Sequence, residues 1–408
     1  MTQTVYAVLL HGKAVGSIIQ RGDVSRFVFS DDYWEDPERD VLGLWFEDDP
    51  RRSPQATSRL PVWFSNLLPD PDSPLRRILA HSEGVPTTRE LMLLASIGND
   101  LPGAVRVLPG GSDAVDPTLL GDVTSALSVV EPSPLRWKFS LAGVQLKFSL
   151  LKRNSRLTIP ASGALGNWII KLPSARYPDV PKVEYATMSL ARTVGIEVPD
   201  IALLHRDQLP SLPGASWANG EEWAFGISRF DRTENGGRVH IEDLAQVRGF
   251  YDSRKYEGTF DTVAGLIYRG VDHHSLREFV RRLTFNLLIG NGDAHLKNWS
   301  LIYRDRRTPT LSPAYDLVST APYFPDDQPD DFGLRLGGTK TMGRVHRGGF
   351  ERLQSRVGVS NRDVLDVVDE TVARFVQAWS SDSRLPFPPA ISEWLEQYIP
   401  AVISRLSP

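Results

Sequence analysis

A chain of 408 residues can bury a large core and form two or three structural units of ordinary size. Its 41% hydrophobic and 24% charged residues are near ordinary globular values, which argues against a wholly disordered or membrane-embedded protein. The net charge of −4 gives no overall electrostatic drive toward nucleic acid, and the absence of cysteine excludes disulfides, thiolate catalysis and cysteine-ligated zinc.

The start, MTQTVYAVLLHGKAVGSI, has no basic region ahead of its apolar residues. No run approaches the roughly 18 apolar residues of a spanning helix, so a cytoplasmic protein without membrane contact is expected. Strand-like pieces (VYAVLLHGKAVGSI, SRFVFSD) are followed by a helix-like piece, TRELMLLASIG, and by a strand in PGAVRVLPGGSD. This gives a mixed N-terminal unit over 1–110. Gly, Ser, Asp and Pro then collect in a connection at 111–134.

Within 135–250, RWKFSLAGVQLKFSLL reads as two strands around a small-residue loop, and NWIIKLP as a strand stopped by proline. KVEYATMSLARTVGIEVP has apolar or small residues at 183, 186, 187, 190 and 194, one buried helical face ending near Gly195. The remaining part, 251–408, is more helical. Leu276, Phe279, Val280, Leu283 and Leu287 follow helical spacing toward Gly290, and DVLDVVDETVARFVQAW and ISEWLEQYIPAVISRL are two further candidates.

Directly after the apolar helix comes NGDAHLKN, in which Asp293 and Asn298 are five apart on a turn-prone loop. The protein-kinase catalytic loop separates its base from its metal-binding asparagine by the same interval. Alone, the cluster reads more readily as a helix cap. The next segment, NWSLIYRDRRTPTLSPAYD, reads as a hairpin that returns Asp316 to the side of Asn298, where two oxygen ligands would suit Mg2+. As a lone residue Asp316 would simply begin a surface turn.

Lys171, ending an apolar strand, can reach nucleotide phosphates. Glu184 either holds that ammonium or is a solvated carboxylate near the start of its helix. The loop Ser140–Lys147, SLAGVQLK, lets backbone amides approach a phosphate at Ala142 and Gly143, with Lys147 adding charge, although in isolation it is an ordinary hairpin turn. The order of loop, lysine, base, asparagine and aspartate is what gives the pieces a joint meaning.

At these residues the chain resembles the HipA family, serine/threonine kinase toxins of bacterial toxin–antitoxin pairs. The motifs FSLAGVQLKFSL, IIKLP, VEYATMSLARTVGIEVP, SRFDR, LIGNGDAHLKNWSLI and LSPAYDLVS occur in family order from about 135 to 320. GKAVGSI, LPVWFSNLLPD and GNDLPGAVRVLP resemble the family's N-terminal subdomain. The resemblance implies an α+β, two-lobed, protein-kinase-like fold with a β-rich N-terminal lobe and a mainly helical C-terminal lobe.

It further implies ATP and Mg2+ as cofactors and Asp293 as catalytic base. Asn298 and Asp316 would bind the metal, Lys171 the ATP phosphates, and Ala142, Gly143, Val144, Gln145, Leu146 and Lys147 would form the phosphate loop. His295, Leu296, Lys297, Asn298, Tyr315 and Asp316 would line the nucleotide site, with Ser228, Arg229 and Phe230 as hinge. Ser228 departs from the acidic residue usual there, which leaves adenine contacts to backbone groups.

Ser140 aligns with the serine that family members autophosphorylate. The implied partners are a small helix-turn-helix (HipB-like) antitoxin, DNA mainly through that antitoxin, and a protein substrate such as glutamate-tRNA ligase or another aminoacyl-tRNA synthetase. Two other readings fit the residues: a small-molecule phosphotransferase using the same base and metal logic, and a non-catalytic, antitoxin-binding corepressor.

Overall fold

The computed structural model describes residues 3–48, 56–110, 146–153, 156–160, 165–210, 217–324, 331–381 and 385–408. The connection at 111–134, the strand expected just after it, Ser140, and the phosphate-loop residues Ala142, Gly143, Val144 and Gln145 lie outside the described residues. The chain forms two compact units. The first comprises Met1–Ile169, Asp231–Asp252 and Tyr303–Thr308; the second comprises Ile170–Phe230, Ser253–Ile302 and Pro309–Pro408.

In the first unit the strands Gln3–Leu10, Lys13–Arg21, Val24–Phe29 and Val105–Pro109 form an antiparallel sheet. Val24–Phe29 occupies one edge and Val105–Pro109 the other. The first two strands meet at His11-Gly12, both with positive φ (49° and 85°), the two-residue turn whose twist matches a hairpin. Phe27, Phe46, Trp63 and Phe64 pack over this sheet, with the Phe27 and Phe64 ring centroids 4.9 Å apart. The strand Lys147–Arg153 forms a hairpin with Arg156–Thr158.

Two buried polar nodes tie distant segments of this unit together. Glu242, on the strand His240–Asp243, accepts from Leu44 N at 2.9 Å, Trp63 Nε1 at 3.0 Å and the Tyr303 hydroxyl. Burial pushes its carboxyl up to about 7, while burial pulls nearby His240 down to about 4. The Arg232 guanidinium bridges Asp100 (2.9 Å) and Asp231 (2.8 Å) and also donates to the carbonyls of Gly103, Leu101 and Asp231.

The second unit contains the antiparallel strands Ile201–His205 and Trp223–Ser228, with the end of the strand Trp168–Lys171, from Ile170 on, beside the latter. The helix Val180–Val194 buries Val183, Ala186, Leu190 and Val194 and stops at Gly195, whose φ of 95° suits glycine. The helix His273–Leu288 is capped by Asp272, which accepts from Ser275 N. Its Leu276, Phe279, Val280, Leu283 and Leu287 are all buried, each worth roughly 1.5–3 kcal/mol of transfer before ordering entropy is counted.

Helices Leu365–Ser381 and Pro389–Leu406 occupy the two expected C-terminal segments. Phe375 of the former meets Phe285 at 5.8 Å between centroids. The expected hairpin forms from Ser300–Tyr303 and Thr310–Leu311, although its return strand is only two residues long. Among the described residues no helix is long and apolar enough to cross a membrane.

Candidate phosphotransfer site

The second unit carries Lys171, Glu184, the Asp293–Asn298 turn, Tyr315, Asp316 and the segment Ser228–Phe230. Lys171 ends its strand buried (5% exposed), and its Nζ donates to both Glu184 Oε1 and Asp316 Oδ1. Burial alone would lower the lysine's pKa, but the charges and hydrogen bonds of Asp316 and Glu184 outweigh it and hold the ammonium above its ordinary value. Glu184 is 1% exposed on the helix Val180–Val194, so it is the lysine's partner rather than a solvated carboxylate. The Phe225 ring centroid lies 5.6 Å from Nζ and walls this pair.

The loop after His273–Leu288 is fastened to the helix end. Asn291 N donates to Asn286 O at 2.9 Å, and Asn291 Nδ2 donates to Asn286 Oδ1 at 2.8 Å; both asparagines are buried. Asn291 Oδ1 accepts from Asp293 N at 3.0 Å, and Gly292 N donates to Thr320 Oγ1 at 2.7 Å. A Cβ on Gly292 would meet Asp331 O at 2.6 Å, so glycine is needed for that approach.

Asp293 projects outward, its side chain 52% exposed, and its Oδ1 accepts from the Tyr256 hydroxyl at 2.6 Å. Asn298 closes a turn over Leu296–Asn298 and donates from Nδ2 to Asp293 O at 2.7 Å, which leaves its carbonyl oxygen as the other end of the amide. His295, Leu296 and Lys297 are buried between them. The turn thus sets the Asp293 carboxylate and the Asn298 amide on one short loop.

The hairpin carries the chain back to this loop. Tyr315 Oη pairs with Ser300 Oγ at 2.5 Å and donates to Lys297 O at 3.0 Å, placing the residue before Asp316 against those flanking Asn298. Asp316 sits at φ 54°, in the left-handed region that aspartate tolerates better than most residues. Its side chain is 23% exposed and reaches Lys171, so it is not a surface turn residue.

At the segment expected as the hinge, Ser228 ends its strand with N–H committed to Asp200 O at 2.8 Å. Arg229 is buried, and the Phe230 ring lies 5.7 Å from that of Tyr315. Leu146 is half-buried and Lys147 buried in the first unit.

Several residues of this site escaped the sequence reading. Tyr256 binds Asp293 across 37 positions, and its only signal is an aromatic between charged residues in RKYEG. Asn286 breaks the apolar stripe at the buried end of its helix, a legible sign of a polar anchor. Thr320 gives no signal, since only the fold brings it to Gly292.

Residues 6–108 match the family described as HipA N-terminal domain, and residues 139–379 match HipA-like C-terminal domain. The protein Y4dM of Sinorhizobium fredii is 41% identical over 411 residues, covering 98% of this chain and 97% of its own. The Shewanella oneidensis serine/threonine-protein kinase toxin HipA is 28% identical over 303 residues, covering 66% of this chain and 65% of its own.

A chain from the solved Shewanella oneidensis complex of HipA, HipB and operator DNA superposes with a TM-score of 0.71 at 20% identity. That superposition covers 98% of this chain and 96% of the other, so the mixed helix-and-sheet fold is the HipA fold. With both halves matched by family descriptions and a relative aligned over nearly the full length, this chain belongs to the HipA family.

Proposed function

We propose that the protein is an ATP- and Mg2+-dependent serine/threonine-protein kinase acting as the toxin of a toxin–antitoxin pair. The observation that carries this reading is the Lys171 ammonium held by Glu184 and Asp316 in the same unit that presents Asp293 and Asn298 from one turn. In this reading Asp293 accepts the proton of the attacking hydroxyl. As that oxygen bonds to the γ-phosphorus, the bond from phosphorus to the β–γ bridging oxygen breaks and ADP leaves.

Lys171, buried and charged, balances phosphate oxygens, and the Glu184 carboxylate keeps it aimed. Phe230 and Tyr315 offer aromatic surface to the nucleotide. With Ser228 N–H already committed, backbone contacts to adenine fall to Arg229 and Phe230. His295, Leu296 and Lys297 support the turn, while Ala142 to Lys147 enter the proposal from their sequence pattern alone.

The donor chemistry fits Mg2+. Asn298 has its Nδ2 occupied by Asp293 O and its amide oxygen left over, and Asp316 adds a carboxylate, the hard oxygen ligands this ion takes. Bound there, the ion would neutralise charge on the transferred phosphoryl group.

Family membership supports the remaining elements of the proposal. These are Ser140 as a self-modification site, a HipB-like antitoxin that carries the protein to operator DNA, an aminoacyl-tRNA synthetase as substrate, and a cytoplasmic location. The test is transfer from γ-labelled ATP by the purified protein, with the labelled residue mapped. Asp293→Asn should lower transfer by about 100-fold or more. Equal labelling of serine or threonine by wild type and Asp293→Asn would overturn the assignment.

A further inference from the structure

Asp293 projects from a loop with its side chain 52% exposed, a setting in which an untethered carboxylate samples several rotamers. Among the described residues, two side chains approach that carboxylate, and both address the same oxygen. The Tyr256 hydroxyl donates to Oδ1 at 2.6 Å, and His295 Nε2 lies 3.8 Å from Oδ1. A carboxylate offers four lone-pair positions, and no described residue hydrogen-bonds Oδ2.

Tyr256 is itself fixed to the loop it serves. Its ring packs edge-on against His295, with centroids 5.0 Å apart and planes at 77°. Its carbonyl accepts from Lys340 Nζ at 2.9 Å, and the carbonyl of the preceding Lys255 accepts from Leu296 N at 3.0 Å. The tyrosine and the Asp293 turn are therefore joined by the Leu296–Lys255 backbone bond and by the His295 ring contact.

We propose that Tyr256 is a positioning residue for phosphoryl transfer, holding the Asp293 carboxylate by Oδ1 so that Oδ2 faces the acceptor. This rests on the reading of Asp293 as the base. The acceptor hydroxyl passes its proton to Oδ2 as its oxygen bonds to phosphorus, while the bond to the bridging oxygen breaks; Tyr256 keeps its own proton throughout. A charge-assisted hydrogen bond is the right device, because it fixes a carboxylate in one orientation without removing its negative charge.

Tyr256→Phe keeps the ring and removes only the donor. In single-turnover and steady-state transfer from labelled ATP it should lower kcat about tenfold, with the KM for ATP unchanged. In an Asp293→Asn background the same substitution should have no further effect, because the two residues act as one unit. A kcat within threefold of wild type, an equal loss in both backgrounds, or a parallel fall in ATP affinity would each overturn the proposal. The failures are distinguishable: full activity of Asp293→Asn defeats the base assignment, whereas an inert Asp293→Asn beside an unaffected Tyr256→Phe defeats only the role of Tyr256.

Discussion

In each unit a buried cation lies between two carboxylates, and the two clusters are built from different cations. In the first unit Arg232 meets Asp100 and Asp231, and its fork also donates to the carbonyls of Gly103, Leu101 and Asp231. In the second, Lys171 meets Glu184 and Asp316, and neither bond goes to backbone. Guanidinium is a planar fork that locks several acceptors at once, while ammonium is a compact charge that can exchange partners. The arginine cluster fastens segments of chain together. The lysine cluster holds side chains ready, with one of them, Asp316, in a left-handed conformation that costs of order 1 kcal/mol and so needs support from its surroundings.

The largest effect expected from breaking this comparison is on the arginine side. Arg232→Met leaves Asp100 and Asp231 buried without their cation and should destabilise the fold by about 3–5 kcal/mol, read from urea denaturation. Lys171→Met should cost less, roughly 1–3 kcal/mol, because of its two carboxylates only Glu184 is deeply buried while Asp316, 23% exposed, can be hydrated, whereas Asp100 and Asp231 are both buried; phosphate transfer should be lost almost completely. If Lys171→Met proved the more destabilising of the two, the division between a fold-holding and a ligand-holding cluster would fail.

That division also marks what could be read from the sequence. The helices Val180–Val194 and His273–Leu288 were legible because their apolar spacing is regular and glycine stands at or just beyond the end. The Asp293–Asn298 interval and the Lys171 strand were legible because the chemistry requires particular residue types at short separations. Helix Pro74–Ser82 carries the Ser73 cap and a proline at its start, but its paired arginines and polar neighbours obscure the apolar face. The Arg232–Asp100 bond spans 132 positions and the Trp63–Glu242 bond 179, so no local pattern could announce them. The left-handed Asp316 was equally hidden, since a backbone angle is imposed by the chain on both sides rather than by one residue's type.

The other buried node of the first unit sharpens the contrast through pH. Glu242, raised from 4.5 to about 7, holds a proton in the folded state that the unfolded chain releases above 4.5. Its contribution is fully present below 4.5 and is lost as pH rises toward 7. His240, lowered from 6.5 to about 4, runs the other way: its contribution is present above 6.5 and is lost as pH falls toward 4. Each slope is about 1.4 kcal/mol per pH unit, so between 4.5 and 6.5 they oppose and largely cancel. Glu242→Gln should uncover the histidine slope, with stability rising with pH across that window in urea titrations. A flat profile in the variant would show that the two groups do not titrate as opposed folding terms.

The smallest expected effect lies where the lysine cluster meets the Asp293–Asn298 turn. The Tyr315 hydroxyl touches Ser300 Oγ and Lys297 O, and the next residue is the strained Asp316. Tyr315→Phe removes those bonds but keeps the ring beside Phe230, so the stability cost should be about 1 kcal/mol. Its effect on ATP binding should be proportionally larger, a several-fold loss by calorimetry, because relaxation at Asp316 shifts an oxygen that Lys171 now holds in place. A matching loss of stability with ATP affinity unchanged would put Tyr315 beside Arg232 as a residue that holds the chain. A change in affinity that exceeds the change in stability would put it beside Lys171, because only a tether that sets Asp316 for the nucleotide separates the two quantities.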